Sequence, residues 1–183
     1  MMKAPIGILL ILMLLSSCGL PFGQDSVKKS GFRMYSTTNP AFSSHIQNFE
    51  SKAKSELGLA SYSIGDVPIN FGDTEDPKFD GVCFTYPNGQ KEVVIKKAWW
   101  DGASPTAREV LIFHELGHCA LGRTGHTNGT ISHGGNTFKL SIMHEKVPRS
   151  VEYNQFKSGY HNELFHKNDG SLQNQIKQLT ASN

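Results

Sequence analysis

Residues 114–126 read HELGHCALGRTGH and contain three histidines and one glutamate. His114 and His118 are four residues apart, so on a helix their imidazoles share one face and can reach a common metal ion. Glu115 lies about 100° round the helix from His114, beside that face. Catalytic zinc has three protein ligands and an open position for water, and a nearby glutamate can take that water's proton. The spacing therefore predicts a catalytic zinc site with Glu115 as the general base.

A catalytic zinc site of this kind needs a third protein ligand. His126 is the nearest candidate, because Gly122 would end the helix and let the chain fold back toward the ion. His133, His144 and Glu163 are further candidates for the same position. The remaining histidines are interpreted as solvent-facing residues: His45, His161 and His166.

Capping residues and hydrophobic spacing predict the helices that must position these side chains. Ser104-Pro105 combines an N-cap residue with a proline at the first helical position, and the helix should run from about Pro105 to Leu121. Asn39-Pro40 has the same signature, and one apolar helix face follows it. That face consists of Phe42, Ile46, Phe49, Ala53 and Leu57. The pattern HELGH thus falls inside an independently predicted helix, which favours a metal site over a helix with incidental histidines.

The remaining segments predict an α+β fold. Residues 67–71 alternate as a strand, and residues 81–86 and 91–100 should form a hairpin around the Asn88-Gly89 turn. Residues 123–147 are expected to be mostly loop, and residues 149–166 recover helical spacing before a polar tail.

The N-terminus resembles a bacterial lipoprotein signal. Lys3 precedes an apolar run over residues 4–15, which is too short to span a bilayer, and small residues then lead into Cys18. In such proteins the cysteine is lipidated and becomes the new N-terminus; the alternative is an ordinary secretory signal with a chance cysteine. We expect a protein anchored by acyl chains to a membrane of the bacterial cell envelope. The chain would have three parts: a lipoprotein signal peptide (1–17), a lipidated tether (18–35) and a zinc metallopeptidase domain (36–183).

Export and composition limit the other interpretations. In an envelope compartment Cys83 and Cys119 can form a disulfide, although two buried free thiols remain an equal alternative. The formal net charge of the 183 residues is only +2 and no Lys/Arg run is present, so we do not expect nucleic acid as a partner. The length predicts one domain with a substantial core.

HELGHCALGRTGH, followed by Ser141-Ile142-Met143-His144, resembles the metzincin zinc peptidases, nearest to matrixin-like bacterial members. The family pattern is H-E-x-x-H-x-x-G-x-x-H with a methionine turn beneath the metal. This chain has one residue more than the pattern on each side of Gly122. The resemblance implies that Glu115 is the general base, that Met143 forms the turn and that the substrate is a polypeptide. By the same resemblance the zinc ligands are His114, His118 and His126.

The resemblance also implies a layout: a backing helix and a small mixed sheet, the active-site helix, a loop-rich lower subdomain and a C-terminal helix. In the family an antiparallel edge strand above the cleft pairs with an extended substrate through main-chain hydrogen bonds. Residues 81–86 occupy the corresponding place in this chain.

Three alternative interpretations fit parts of the pattern: two other classes of zinc protease and a zinc-binding protein. One class of His-Glu-x-x-His proteases takes its third ligand from a glutamate on a later helix, where this chain has Glu163. SprT-like proteases use a downstream His-Gly pair, to which His133-Gly134 is loosely similar. Neither class explains the Ser-Ile-Met segment. A zinc-binding envelope lipoprotein without turnover is the third alternative, but pure binding needs no base such as Glu115 beside the metal.

Overall fold

Two β-sheets form in residues 23–179, the part of the chain that the computed structural model describes. The larger sheet has four strands: β1 (Gly23–Lys28), β2 (Ile69–Phe71), β3 (Gly81–Thr85) and β4 (Lys91–Ile95). Their order is β1-β3-β4-β2, with β3 antiparallel to β4 and each outer strand parallel to its neighbour. The smaller sheet is an antiparallel hairpin of β5 (Thr130–His133) and β6 (Asn136–Lys139).

Six α-helices complete the described part of the chain. They are α1 (Ser43–Glu56), α2 (Lys97–Gly102), α3 (Pro105–Cys119), α4 (Ser150–Gln155), α5 (Lys157–His166) and α6 (Gly170–Gln178). A short 3-10 helix, Pro40–Phe42, leads into α1. The predicted α+β class and the small mixed sheet are therefore confirmed.

Helix α3 passes through the centre of the fold. The Ser104 hydroxyl caps it by accepting a hydrogen bond from the Ala107 amide (3.2 Å), and Pro105 fills its first position, as the sequence pattern predicts. All residues from Val110 to Cys119 are buried, because α3 contacts β1, β3 and β4 as well as α1 and α4. The predicted helix is confirmed, with its end at Cys119 rather than at residue 121.

The predicted N-terminal helix is also confirmed. The Asn39 side chain accepts a hydrogen bond from the Ala41 amide (3.0 Å), which caps the 3-10 turn before α1. Phe49 of α1 is fully buried and packs edge-on against Phe113 of α3, with ring centroids 5.1 Å apart. This contact holds the backing helix against the helix that carries the histidines.

The predicted hairpin of β3 and β4 is present, and a disulfide ties it to α3. Cys83 of β3 pairs with Val93 of β4, and its sulfur is bonded to that of Cys119, with Cα atoms 5.6 Å apart. The alternative of two free thiols is therefore excluded.

Strand β1 differs from the expected tether over residues 18–35. Gly23 pairs with Gly81 and Lys28 with Thr85, so β1 lies parallel to β3 at the edge of the sheet. Val27 packs against a small apolar cluster on the outer face of the sheet, which stabilises this pairing. As a result β3 is not an edge strand, and the expectation that residues 81–86 present a free edge to substrate is wrong.

Two local predictions were wrong, one because of aromatic packing and the other because two glycines form a hairpin turn. Residues 97–102 form α2 rather than a continuation of β4, because Trp100 turns inward to pack against Phe42, with ring centroids 4.8 Å apart. The segment 123–147 contains the β5–β6 hairpin rather than loop alone. Gly134 and Gly135 both adopt positive φ (56° and 78°) and form its tight turn.

The C-terminal part is more helical than predicted. The expected helix over residues 149–166 is interrupted at Phe156, whose ψ of 28° separates α4 from α5. The polar tail forms α6, which buries Leu172 and Ile176. A Cβ on Gly159 of α5 would lie 2.9 Å from the Leu172 Cα, so glycine at this position permits the close approach of α6.

Cys18, the predicted signal peptide and the first part of the predicted tether lie outside the described residues. Within residues 23–179, none of the helices has the length and hydrophobicity needed to cross a bilayer.

Candidate metal centre

The imidazoles of His114, His118 and His126 converge on one point. Nε2 of His114 lies 3.2 Å from Nε2 of His118 and 3.3 Å from Nε2 of His126. Nitrogens bound to a tetrahedral zinc ion are about 3.3–3.4 Å apart, given bonds of about 2.0–2.1 Å. The candidate ligand atoms of all three residues lie within 4.8 Å of one another. The three histidines are therefore close enough to hold a metal ion, and the two separations from His114 match those of a tetrahedral one.

Main-chain carbonyls orient two of the three rings. Nδ1 of His114 lies 2.8 Å from the carbonyl oxygen of Ile142, and Nδ1 of His118 lies 2.6 Å from that of Arg123. Because a carbonyl can only accept, each Nδ1 carries the proton and donates it, which leaves the Nε2 lone pair of the neutral ring for a metal. Burial lowers the pKa of His114 well below its ordinary value, and the neighbouring His118 adds to that effect, so His114 is neutral at pH 7.

His126 reaches the cluster from the loop after α3. Gly122, three residues after the end of α3, has a φ of +67°, a left-handed conformation that suits glycine. The Arg123 amide then donates to the Gly117 carbonyl (3.0 Å), which folds the chain back under the helix end. The predicted reversal at Gly122 is thus present, and the additional residue on each side of it still allows His126 to meet the other two histidines.

Glu115 lies beside the cluster and is fully buried. It faces the start of β3, where a Cβ added to Gly81 would come within 2.9 Å of the Glu115 Oε1. Helix α3 and the sheet therefore enclose this carboxylate, and a glycine at position 81 makes room for it.

Met143 packs beneath the cluster. It is fully buried, and its sulfur lies close to Gly117, the residue just before His118 on α3, where an added Cβ would collide with that sulfur. Its carbonyl accepts a hydrogen bond from the Thr127 amide (2.8 Å), next to His126. The predicted methionine segment therefore supports both the helix and the loop that carry the histidines.

The other candidate third ligands lie outside this cluster. Within residues 23–179 the metal-competent group comprises His114, His118 and His126. Glu163 instead contacts Arg123 and Ser141. His133 lies in β5 opposite Asn136, and His144 is half-buried and accepts a hydrogen bond from the Lys146 amide.

One histidine interpreted as solvent-facing is buried. His161 of α5 is only 2% exposed and stacks on Phe113, with ring centroids 5.3 Å apart. Its Nε2 lies 2.7 Å from the Tyr153 hydroxyl. The prediction for His161 was wrong because the helix spacing of residues 149–166 did not reveal which face turns toward α3.

Sequence reasoning missed the groups that hold the histidines in place. A buried polar network is formed by Arg123, Ser141 and Glu163. These residues are up to 40 positions apart in the sequence, so no local pattern links them. The orienting carbonyls of Arg123 and Ile142 are main-chain groups, which every residue has, so no residue type signals them.

Comparison of the chain with models of known protein families, with curated proteins and with solved structures finds no match.

Proposed function

We propose that this protein is a zinc-dependent endopeptidase of the metzincin type, anchored to a membrane of the bacterial cell envelope through acyl chains on Cys18. The observation that carries the proposal is the convergence of three imidazole Nε2 atoms beside a fully buried glutamate. A zinc ion held there supplies Lewis-acid chemistry, because it polarises a carbonyl oxygen and lowers the pKa of a coordinated water.

The chain's own groups have separate tasks in this proposal. His114, His118 and His126 bind the ion as neutral ligands, with two of them oriented by main-chain carbonyls. Glu115 takes the proton from the attacking water and passes it to the leaving amine nitrogen. The burial of Glu115 between α3 and β3 keeps bulk water away from that proton transfer.

The order of elements supports the metzincin assignment. Helix α1 and the mixed sheet precede α3, and the Met143 segment and further helices follow it, as the resemblance implies. One feature departs from the family layout: β1 occupies the outer edge of β3. An extended substrate that adds to the sheet at this edge must therefore pair with β1 or replace it.

The alternative of a zinc-binding lipoprotein without turnover shares the histidines but gives Glu115 no task. The experiment that separates the two measures zinc content and cleavage of a denatured protein substrate, with and without a chelator. Glu115→Gln should keep zinc and lose cleavage by about 10²–10⁴-fold, as expected for removal of a positioned base. Glu109→Gln is the matched control on the same helix, where the carboxylate pairs with Lys157 instead, and it should cleave normally.

Full activity in Glu115→Gln would overturn the mechanism. Wild-type protein that binds zinc but cleaves no member of a peptide library would instead favour the binding lipoprotein.

A further inference from the structure

Glu163 of α5 is a buried carboxylate, 2% exposed, and each of its two oxygens holds a different segment of the chain. Oε1 accepts a hydrogen bond from Nη2 of Arg123 (2.8 Å), and Oε2 accepts one from the Ser141 hydroxyl (2.5 Å). These two partners belong to the two segments that surround the histidine cluster, residues 123–127 and residues 141–143.

The Arg123 segment carries one ligand and orients another. Arg123 donates through Nη1 to the Glu163 and Leu164 carbonyls (3.2 and 3.1 Å) and through Nη2 to the Thr127 hydroxyl (3.2 Å). His126 lies between the two residues that this guanidinium ties together. The Arg123 carbonyl also accepts the Nδ1 proton of His118 (2.6 Å). The anchored guanidinium thus determines where His126 and the orienting carbonyl of His118 lie.

The Ser141 segment orients the remaining ligand. The Ser141 hydroxyl donates to Glu163 and accepts a hydrogen bond from the Met143 amide (2.8 Å), which closes a tight turn. Between these two residues lies Ile142, whose carbonyl accepts the Nδ1 proton of His114 (2.8 Å). A displaced Ser141 would therefore turn the His114 ring.

We propose that Glu163 is a positioning residue for the metal centre, one that joins both ligand-bearing segments through its single carboxylate. The inference rests on the metal site of the proposed function but not on peptide cleavage. Glu163 is not a member of the candidate ligand group; it acts through Arg123 and Ser141. All three histidines depend on those two segments, so loss of the carboxylate should disturb the whole ligand set rather than one member.

The expected effect is a loss of metal affinity. Groups that orient metal ligands typically change metal affinity by about 10–100-fold when they are replaced. Glu163→Gln preserves the shape of the side chain but removes the charge that pairs with Arg123. The matched control is Glu152→Gln, because Glu152 is also 2% exposed and accepts hydrogen bonds from the Lys139 amide and the Tyr160 hydroxyl, which lie outside the two segments.

The experiment measures Zn²⁺ affinity of the full chain by competition with a chelator, together with the visible absorption spectrum of the Co²⁺-loaded protein. Glu163→Gln should bind Zn²⁺ about 10–100-fold more weakly and shift the Co²⁺ bands. Glu152→Gln should match the wild type in both measurements, even if its melting temperature falls. Wild-type affinity and spectrum in Glu163→Gln, or an equal loss in Glu152→Gln, would overturn the proposal.

A second variant covers the case in which Glu163→Gln does not fold. Ser141→Ala removes only the contact between Glu163 and the His114-orienting turn, so a smaller loss of Zn²⁺ affinity and a shifted Co²⁺ spectrum are expected. An unchanged spectrum in Ser141→Ala would contradict the proposal. Failure of the metal-loaded wild type to cleave peptides would overturn the proposed function alone, since these measurements concern metal binding.

Discussion

Gly81 of β3 lies directly against Glu115 of α3, so that a Cβ on Gly81 would sit 2.9 Å from the Glu115 Oε1 and 3.1 Å from the Ile95 Cδ1. The buried carboxylate can accommodate a methyl group there only by moving. This relationship makes the sheet responsible for the position of the proposed general base.

Gly81→Ala should therefore reduce peptide cleavage while zinc stays bound. Displacement of a reacting group by about 1 Å can cost on the order of 100-fold in rate, and we expect a loss of roughly that size in kcat. Gly102→Ala is the control, because an added Cβ there meets no atom within 4 Å. Zinc content and kcat measured side by side test the prediction, which is contradicted if Gly81→Ala turns over at the wild-type rate.

His126→Ala should lower zinc affinity by more than the roughly 10–100-fold expected for a residue that only orients a ligand, because it removes a proposed direct ligand. His133→Ala is the matched control: His133 lies in β5, outside the histidine cluster, and its loss should leave zinc affinity unchanged. Chelator competition at constant pH gives both values. If His133→Ala loses zinc affinity and His126→Ala does not, His133 rather than His126 is the third ligand.

Removal of β1 should improve the cleavage of long peptides. β1 pairs along β3 from Gly23↔Gly81 to Lys28↔Thr85, so it covers the edge that an extended substrate would otherwise use. We expect a chain that starts at Ser30 to show a higher kcat/KM, mainly through KM, for long but not for very short peptides. A truncated chain with a wild-type circular dichroism spectrum and no such gain would show that substrate does not pair with β3.

The Cys83–Cys119 disulfide should contribute substantially to stability. It closes a loop with a sequence separation of 36, for which the loss of unfolded-state entropy corresponds to about 3–4 kcal/mol. The double variant Cys83→Ala/Cys119→Ala should lose about this amount in the free energy of unfolding, as measured in urea. Wild-type protein in reductant should show a similar loss, and a difference below about 1 kcal/mol would contradict the entropic account.

His161 should make the fold less stable in weak acid. Burial, followed by the nearby charges of Lys52 and Lys157, lowers the pKa of His161 to about 4, whereas in the unfolded chain it is about 6.5. Between these values the unfolded chain binds the proton and the folded chain does not, so stability falls as the pH drops from about 6.5 to about 4. The loss is on the order of 3 kcal/mol.

The His161→Gln variant tests this pH dependence, since glutamine does not titrate. Urea unfolding of both chains, kept metal-free, should give a shallower decline for the variant between pH 6.5 and 4. Parallel curves for the two chains would rule out His161 as the source.

Local chain geometry explains what could be predicted from the sequence alone. The start of α3 at Ser104-Pro105, the shared face of His114 and His118, and the reversal at Gly122 depend on residues only a few positions apart. Helical spacing and capping act over that range, so residue types suffice to predict them. The same spacing predicted Glu115 beside the histidines.

Only the tertiary structure decided what depends on distant partners. That His126 rather than Glu163 lies beside His114 and His118 follows from Arg123, which pairs with Glu163 across 40 positions. Strand β1 pairs with β3 because that edge of the sheet was open. The pairing is made by main-chain hydrogen bonds, which carry no residue-specific signal in the sequence. For the same reason the carbonyls of Arg123 and Ile142, which orient His118 and His114, could be identified only after the chain had folded.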